Sequence, residues 1–212
     1  MNSDIHELLY HYNEDGYEGY DLSEVQLLRE IDSDRVEKLK LLLQHDDTYI
    51  AYQAMLILLA WAIPEGFQQL DTFISEKWEE KQTFEPHRIY NEDNVYDVIC
   101  NALSIAILNG KDEEELHASI SYFLKIYGTH FFESNLKNFL LTKNCKPFLK
   151  EIEQAMERAI ETERYYQASQ LFPVVVNYDN NGFNKFEGVF KDLLLHDNRI
   201  MYNIEEAQKM IS

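Results

Sequence analysis

The segment YIAYQAMLILLAWAI, Tyr49 to Ile63, constrains this chain most, because it is apolar on nearly every face of a helix. An amphipathic helix needs one neighbour along its stripe, whereas a helix apolar all round has to be covered on several sides. A second segment of the same kind, NVYDVICNALSIAILNG, follows at Asn94 to Gly110. The longest apolar stretch, Ala54 to Ile63, is shorter than the roughly 20 residues a bilayer span needs, so the cover is expected to be protein.

The candidates for that cover are amphipathic. Helices are expected over Ser3 to Tyr12, from Ser23 to about Ile31 with Gln26 completing a capping box, and from Asp32-Ser33 through DRVEKLKLLLQH. Pro64 suits the first turn of a helix carrying Phe67, Leu70, Phe73, Ile74 and Trp78, and Gly110 suits a C-cap. Asp112 with Glu115 opens a helix to Tyr127, and further helices are expected near Phe131 to Leu141, Phe148 to Ile160, Glu163 to Phe172, Phe183 to His196 and Asn198 to Ile211. Pro173 and the β-branched Val174 to Val176 predict a kink or a short extended piece. Seven Gly and four Pro are too few for the turns of a β-sandwich.

An amphipathic helix, a polar turn and an all-apolar helix, repeated, form hairpins that bury their inner helices only by stacking. Ile50, Ala54, Met55, Ile57 and Leu59 align with Val98, Ala102, Leu103, Ile105 and Ile107 at one constant offset, and Tyr52-Gln53-Ala54 recurs as Tyr166-Gln167-Ala168. The fold expected is all-α, stacked antiparallel helical hairpins in a HEAT-like α-solenoid, rather than an irregular bundle. It is read as a single domain, 1–212, with N-terminal helices and an acidic loop over 1–31 and HEAT-like hairpins over 32–212.

Chemistry is sparsely marked. The seven histidines show no HExxH or HxxxH spacing, and no GxSxG, GxxxxGK[ST] or GxGxxG occurs. Cys100 sits in an apolar helix, and Cys145 lies between Lys143 and Lys146, which would lower its pKa, with no partner acid or His to mark a nucleophile. No catalytic residue, cofactor or metal is expected. The N-terminal MNSDIHELLYHYNEDGYEGY has neither a basic n-region nor an apolar h-region, and with unpaired cysteines a cytoplasmic location is expected. Lys137, Lys143, Lys146 and Lys150 form a small basic island, read as a solvated connector.

Charge is the stronger signal. With 19 Lys+Arg against 38 Asp+Glu the formal net charge is -19, which repels nucleic acid and anionic lipid and attracts basic proteins. Disorder does not explain it, since 45% of residues are hydrophobic. In NEDGYEGYD, Glu14, Asp15, Glu18 and Asp21 alternate with Tyr17 and Tyr20, a composition that grips a basic surface. A solvated loop with its tyrosines folded back on the first helices is the other reading. Acid and tyrosine coincide again at helix entries: Asp46, Asp47 and Tyr49; Glu92, Asp93, Tyr96 and Asp97; then Glu161, Glu163, Tyr165 and Tyr166. Acids at helix N-termini also serve caps and dipoles. Stacked hairpins would align these entries into an acidic, aromatic ridge.

The stretch DDTYIAYQAMLILLAWAIPEGFQQLDTFI, Asp46 to Ile74, resembles the HEAT-like repeats of small acidic immunity proteins of bacterial polymorphic toxin systems, including contact-dependent growth inhibition. The resemblance covers about one repeat and carries no transferable contact residues. It implies an inhibitor that binds one cognate toxin, expected to be a nuclease with a basic cleft. A general adaptor and an acidic mimic of nucleic acid stay open beside it. A HEAT-like DNA glycosylase is disfavoured, because it needs a basic concave face.

Overall fold

A computed structural model describes residues 3–11, 22–88 and 91–211 of the 212-residue chain. Regular structure among the described residues is all helical. In chain order the α-helices are α1 (Ser3–Tyr10), α2 (Ser23–Gln26), α3 (Ser33–Leu42), α4 (Thr48–Ala60), α5 (Pro64–Ser75), α6 (Trp78–Lys81), α7 (Val95–Leu108), α8 (His117–Ile126), α9 (Asn135–Thr142), α10 (Leu149–Glu161), α11 (Tyr165–Tyr178), α12 (Asn181–Leu193) and α13 (Ile200–Ile211). Single 3-10 turns at Glu114–Leu116 and Lys146–Phe148 lead into α8 and α10. No helix among the described residues is long and apolar enough to cross a membrane. The chain divides into two compact units, Met1–Pro86 with Asn101–Asp112 and His87–Cys100 with Glu113–Ser212.

In the first unit α4 is the buried centre. Every residue from Ile50 to Ala60 is buried, as a helix apolar on all faces requires, and α1, α2, α3 and α5 pack against it. Tyr52, Phe73 and Phe84 form an aromatic cluster with ring centroids 4.8 to 5.8 Å apart. Arg35 closes the end of α1: its Nε donates to the Leu8 carbonyl at 3.0 Å and its Nη1 to the His11 carbonyl at 2.6 Å, so a cation meets carbonyls the helix leaves unpaired. The capping box expected at Ser23 and Gln26 does not form. No side chain caps α2, which stops at Gln26 rather than near Ile31. Gln26 is buried and its Nε2 donates to the Leu56 carbonyl at 3.3 Å, so a tertiary bond takes the side chain the local motif needed. Similarly α5 stops at Ser75, before Trp78, and Lys77 turns the chain with φ 51.

Three helices end in the same way. After α4, Ala62 takes φ 58 and Ile63 N–H donates to the Leu58 carbonyl at 2.9 Å. After α7, Gly110 takes φ 93 and Lys111 N–H donates to Ala106 at 3.0 Å; after α10, Glu163 takes φ 62 and Arg164 N–H donates to Ala159 at 2.8 Å. This left-handed C-cap turns the chain tightly into the next element. Gly110 is the cap that the sequence predicts; Ala62 and Glu163 adopt the same geometry without glycine's freedom. At the α4–α5 turn Pro64 opens α5, and Gly66 lets the helices meet, since a Cβ there would lie 2.7 Å from the Leu59 nitrogen.

In the second unit α11 is the buried centre, with Gln167 to Val176 all buried and α9, α10, α12 and α13 packed on it. The helix continues through Pro173 to Tyr178, against the expected kink or extended piece. Val174, Val175 and Val176 are fully buried, and the burial of three apolar side chains, each contributing about 1.5 to 3 kcal/mol, offsets the roughly 3 kcal/mol of an interior proline. The helix expected from Phe131 begins only at Asn135, because Asp97 from α7 captures its start: Asp97 Oδ2 accepts from Ser134 N–H at 3.2 Å and Oδ1 from Leu136 N–H at 3.1 Å.

Candidate functional site

The residues singled out for partner binding separate into three groups. Glu14, Asp15, Tyr17, Glu18, Tyr20 and Asp21 lie outside the described residues. At the entry of α4, Asp46, Asp47 and Tyr49 are exposed, and Asp47 also caps the helix by accepting from Tyr49 N–H at 2.9 Å. Tyr49 is only 37% exposed, and the covering of the rest of its side chain, reinforced by Glu85 and Tyr10, pushes the hydroxyl up to about 12. At the entry of α7, Glu92 and Asp93 are half-buried, and Asp93 caps the helix by accepting from Val95 N–H at 3.2 Å.

Tyr96 and Asp97 are corrections. Both are interior, 1% and 0% exposed, and so belong to the core rather than to a docking surface. The Tyr96 ring packs on Tyr122, Phe123 and His130 at 5.5 to 5.8 Å. Asp97 holds the start of α9; burial raises its pKa, and the N–H groups that bond it offset only part of that rise. Lys137 of the supposed solvated island is likewise engaged, bonding Glu206 and, at 3.3 Å, Asn203 Oδ1. For Cys145, burial outweighs Lys143 and pushes the thiol up to about 12, opposite to the expected lowering. Cys100 is wholly buried and its thiol is also raised, first by burial and then by Asp97.

What the second unit does bring together is the entry of α7 and the entry of α11. Glu92 meets Glu163, Arg164, Tyr165 and Tyr166 in a cleft of about 440 Å³. Its other walls are His87, the loop Phe131 to Ser134, and Asp197 with Arg199 ahead of α13. The left-handed turn at Glu163 sets Arg164 at the mouth of α11, where its Nη2 lies 2.6 Å from Glu92 Oε2 and 3.4 Å from the Thr129 carbonyl. Arg199 sits over the Tyr166 ring at 4.4 Å and pairs with Asp197 at 2.5 Å, which holds the Asp197 carboxyl below its usual value. His87 packs on Phe131 at 4.9 Å and lies 3.8 Å from Glu133.

Beneath this cleft the loop is fixed by one buried amide. Gln167 Oε1 accepts from Phe132 N–H at 3.0 Å, and its Nε2 donates to the His130 carbonyl at 2.9 Å and to the Tyr127 carbonyl. The Tyr127 hydroxyl returns a bond of 2.7 Å to the Gln167 carbonyl. Gln170, 4% exposed, also lines the cleft.

The cleft therefore carries four carboxylates, Glu92, Glu133, Glu163 and Asp197, against two guanidinium groups, with aromatic walls. Such a lining orients and neutralises cationic groups. Among the described residues no group of three or more His, Cys, Asp and Glu side chains is placed to hold a metal ion. Sequence reasoning missed His87, Phe131, Glu133, Asp197, Arg199 and Gln170. The available signal was Arg164 beside the Tyr165-Tyr166 pair, an arginine inside an acid and tyrosine cluster. Comparison of the chain with protein-family models, curated proteins and solved structures finds no match in any of the three.

Proposed function

We propose that this chain is an immunity protein: a binding protein that takes a basic bacterial toxin, of nuclease type, as its cognate partner in the cytoplasm and neutralises it. The observation that carries the reading is the convergence of acid and tyrosine from two helix entries on one open cleft, in a chain of net charge -19. A nuclease must present a basic groove to its substrate backbone, and an acidic partner is steered to that groove and complements it. The exposed Asp46, Asp47 and Tyr49 offer a second acidic, aromatic contact of the same composition. The HEAT-like arrangement of hairpins belongs to the same reading, supported by two buried central helices, α4 and α11, each entered or left through a tight left-handed turn.

The test is neutralisation. The purified chain is mixed with the product of the gene beside its own, and residual toxin activity is read against the molar ratio. Titration to near-complete inhibition at about one to one is expected. Full activity at every ratio, with no binding at low salt, rejects the proposal. Inhibition that DNA relieves by competition points to mimicry of nucleic acid, and capture of several unrelated partners points to an adaptor.

A further inference from the structure

We propose that a separate groove of the second unit, between α8 and α10, receives one carboxylate, an acidic side chain that the basic partner inserts beside its main contact. This rests on the partner-binding reading and names the contact that sets the partner's register. The groove, of about 460 Å³, is lined by Ser121, Tyr122 and Lys125 of α8 and by Glu151, Gln154 and Arg158 of α10.

The first observation is that both cations of the groove lack a counterion. In a chain with 38 acids to 19 bases, neither Lys125 nor Arg158 has an ion pair among the described residues. Even Glu161, one turn beyond Arg158 on α10, stays exposed and does not pair with it. Glu151, the one carboxylate of the lining, accepts from the Ser121 hydroxyl at 2.5 Å and stands two turns, about 10 Å, along α10 from Arg158. The Arg158 end of the groove is therefore positive.

The second is the bonding of Arg158, which is half-buried. Its Nη2 donates to the Leu124 carbonyl at 3.0 Å, its Nε is closed off from solvent without a partner, and its Nη1, also unbonded, stays open to solvent. A guanidinium with five donors and one bond favours a planar acceptor, and a carboxylate matches its fork. Lys125 brings a like charge to the same groove, a repulsion that an anion between the two relieves. One carboxylate balances the single surplus positive charge of the lining, whereas a free dianion is opposed by the field of a chain of net charge -19.

The third is position. A Cβ on Gly128 would lie 2.9 Å from the Arg158 Cβ, and Thr162 Oγ1 donates to the Gly128 carbonyl at 2.6 Å. The next residue, Thr129, accepts from Arg164 Nη2 of the acidic cleft at 3.4 Å. Groove and cleft thus adjoin at the 128–129 turn, and a partner seated on the cleft reaches the groove. An acidic surface draws any basic protein; one reversed charge pair at its border fixes the orientation.

The test uses the full chain and small probes. N-acetyl-aspartate α-amide, which carries one side-chain carboxylate, is titrated into the 15N-labelled protein beside its neutral asparagine analogue and inorganic phosphate. Saturable shifts at the Arg158 Nε–H and the Lys125 backbone amide are expected at roughly millimolar affinity, and none with the neutral analogue. Arg158→Gln and the exposed Lys125→Gln should each weaken the probe about tenfold, with the backbone spectrum otherwise retained. No saturable shift, an equal response to the neutral analogue, or tighter binding of phosphate overturns the proposal. With a basic partner the sign decides, because Lys125→Glu makes the chain more acidic. A partner held by charge alone binds that variant at least as tightly as wild type, which removes the groove from the interface and leaves the partner reading standing. Binding about tenfold weaker supports the inserted carboxylate. If the probe occupies the groove and no basic partner is found, the site stands and the partner reading falls.

Discussion

Gln167→Ala tests whether the cleft is built on a single buried amide. The substitution removes the acceptor for Phe132 N–H and the donor to the Tyr127 and His130 carbonyls. Phe132 N–H and the Tyr127 carbonyl are buried, and each unsatisfied group costs about 1 to 3 kcal/mol; the His130 carbonyl is partly exposed, and water replaces its partner. The expected loss is about 2 to 6 kcal/mol, a large fraction of the roughly 5 to 15 kcal/mol that holds a domain folded. For a chain of this length that corresponds to a fall in Tm on the order of 10 °C. Urea unfolding followed by far-UV circular dichroism reads it as a lower midpoint at unchanged slope. Gln68→Ala, at an exposed site on α5, is the control and should stay within about 0.5 kcal/mol. Amide exchange at Phe132 should accelerate with the loss. A cost below about 1 kcal/mol, with Phe132 still protected, refutes the argument that this amide holds the 127–132 loop.

Three further outcomes follow from the same geometry. Ala62→Gly should stabilise by about 0.5 kcal/mol or more, because it relieves a left-handed alanine at the α4 C-cap; a net loss on thermal unfolding contradicts the cap assignment. Asp97→Asn keeps one acceptor and turns an NH2 toward the second backbone N–H, so it should cost about 1 to 3 kcal/mol near neutrality. The folded pKa of Asp97 is raised, so the wild-type advantage over this variant is largest below the ordinary carboxyl value of 3.8 and shrinks to its neutral-pH size as pH rises through the window above it; a difference that instead grows with pH reverses the sign. Native Cys100 and Cys145 should both resist thiol-reactive maleimide at neutral pH and react after unfolding, and rapid native labelling of Cys145 contradicts its raised pKa.

The helix α4 was legible because a pattern apolar on every face has one physical solution, burial on several sides, whereas α7, read the same way, leaves Leu108 74% exposed. Gly110 and Pro64 were legible for the same local reason, since each satisfies a backbone requirement at its own position. The missed boundaries share the opposite cause. Gln26 bonds a carbonyl on α4, and Asp97 caps a helix nearly forty residues on, so neither interaction has a signature within a window of a few residues. At the cleft, acid and tyrosine at the α7 and α11 entries were readable as composition. That Arg164 would hold Glu92 depended on packing between distant segments, whereas the Asp93 cap on Val95 N–H and the Arg199–Asp197 pair are local.

The most direct test of the central claim is the association rate between this chain and the basic toxin partner proposed for it, measured by stopped flow from about 50 to 200 mM salt. An acidic surface that steers a basic groove predicts a rate falling on the order of tenfold across that range while the dissociation rate changes little, and a shallower slope for Glu92→Lys combined with Glu133→Lys. An association rate indifferent to salt, with the charge-reversed protein binding as fast as wild type, contradicts it.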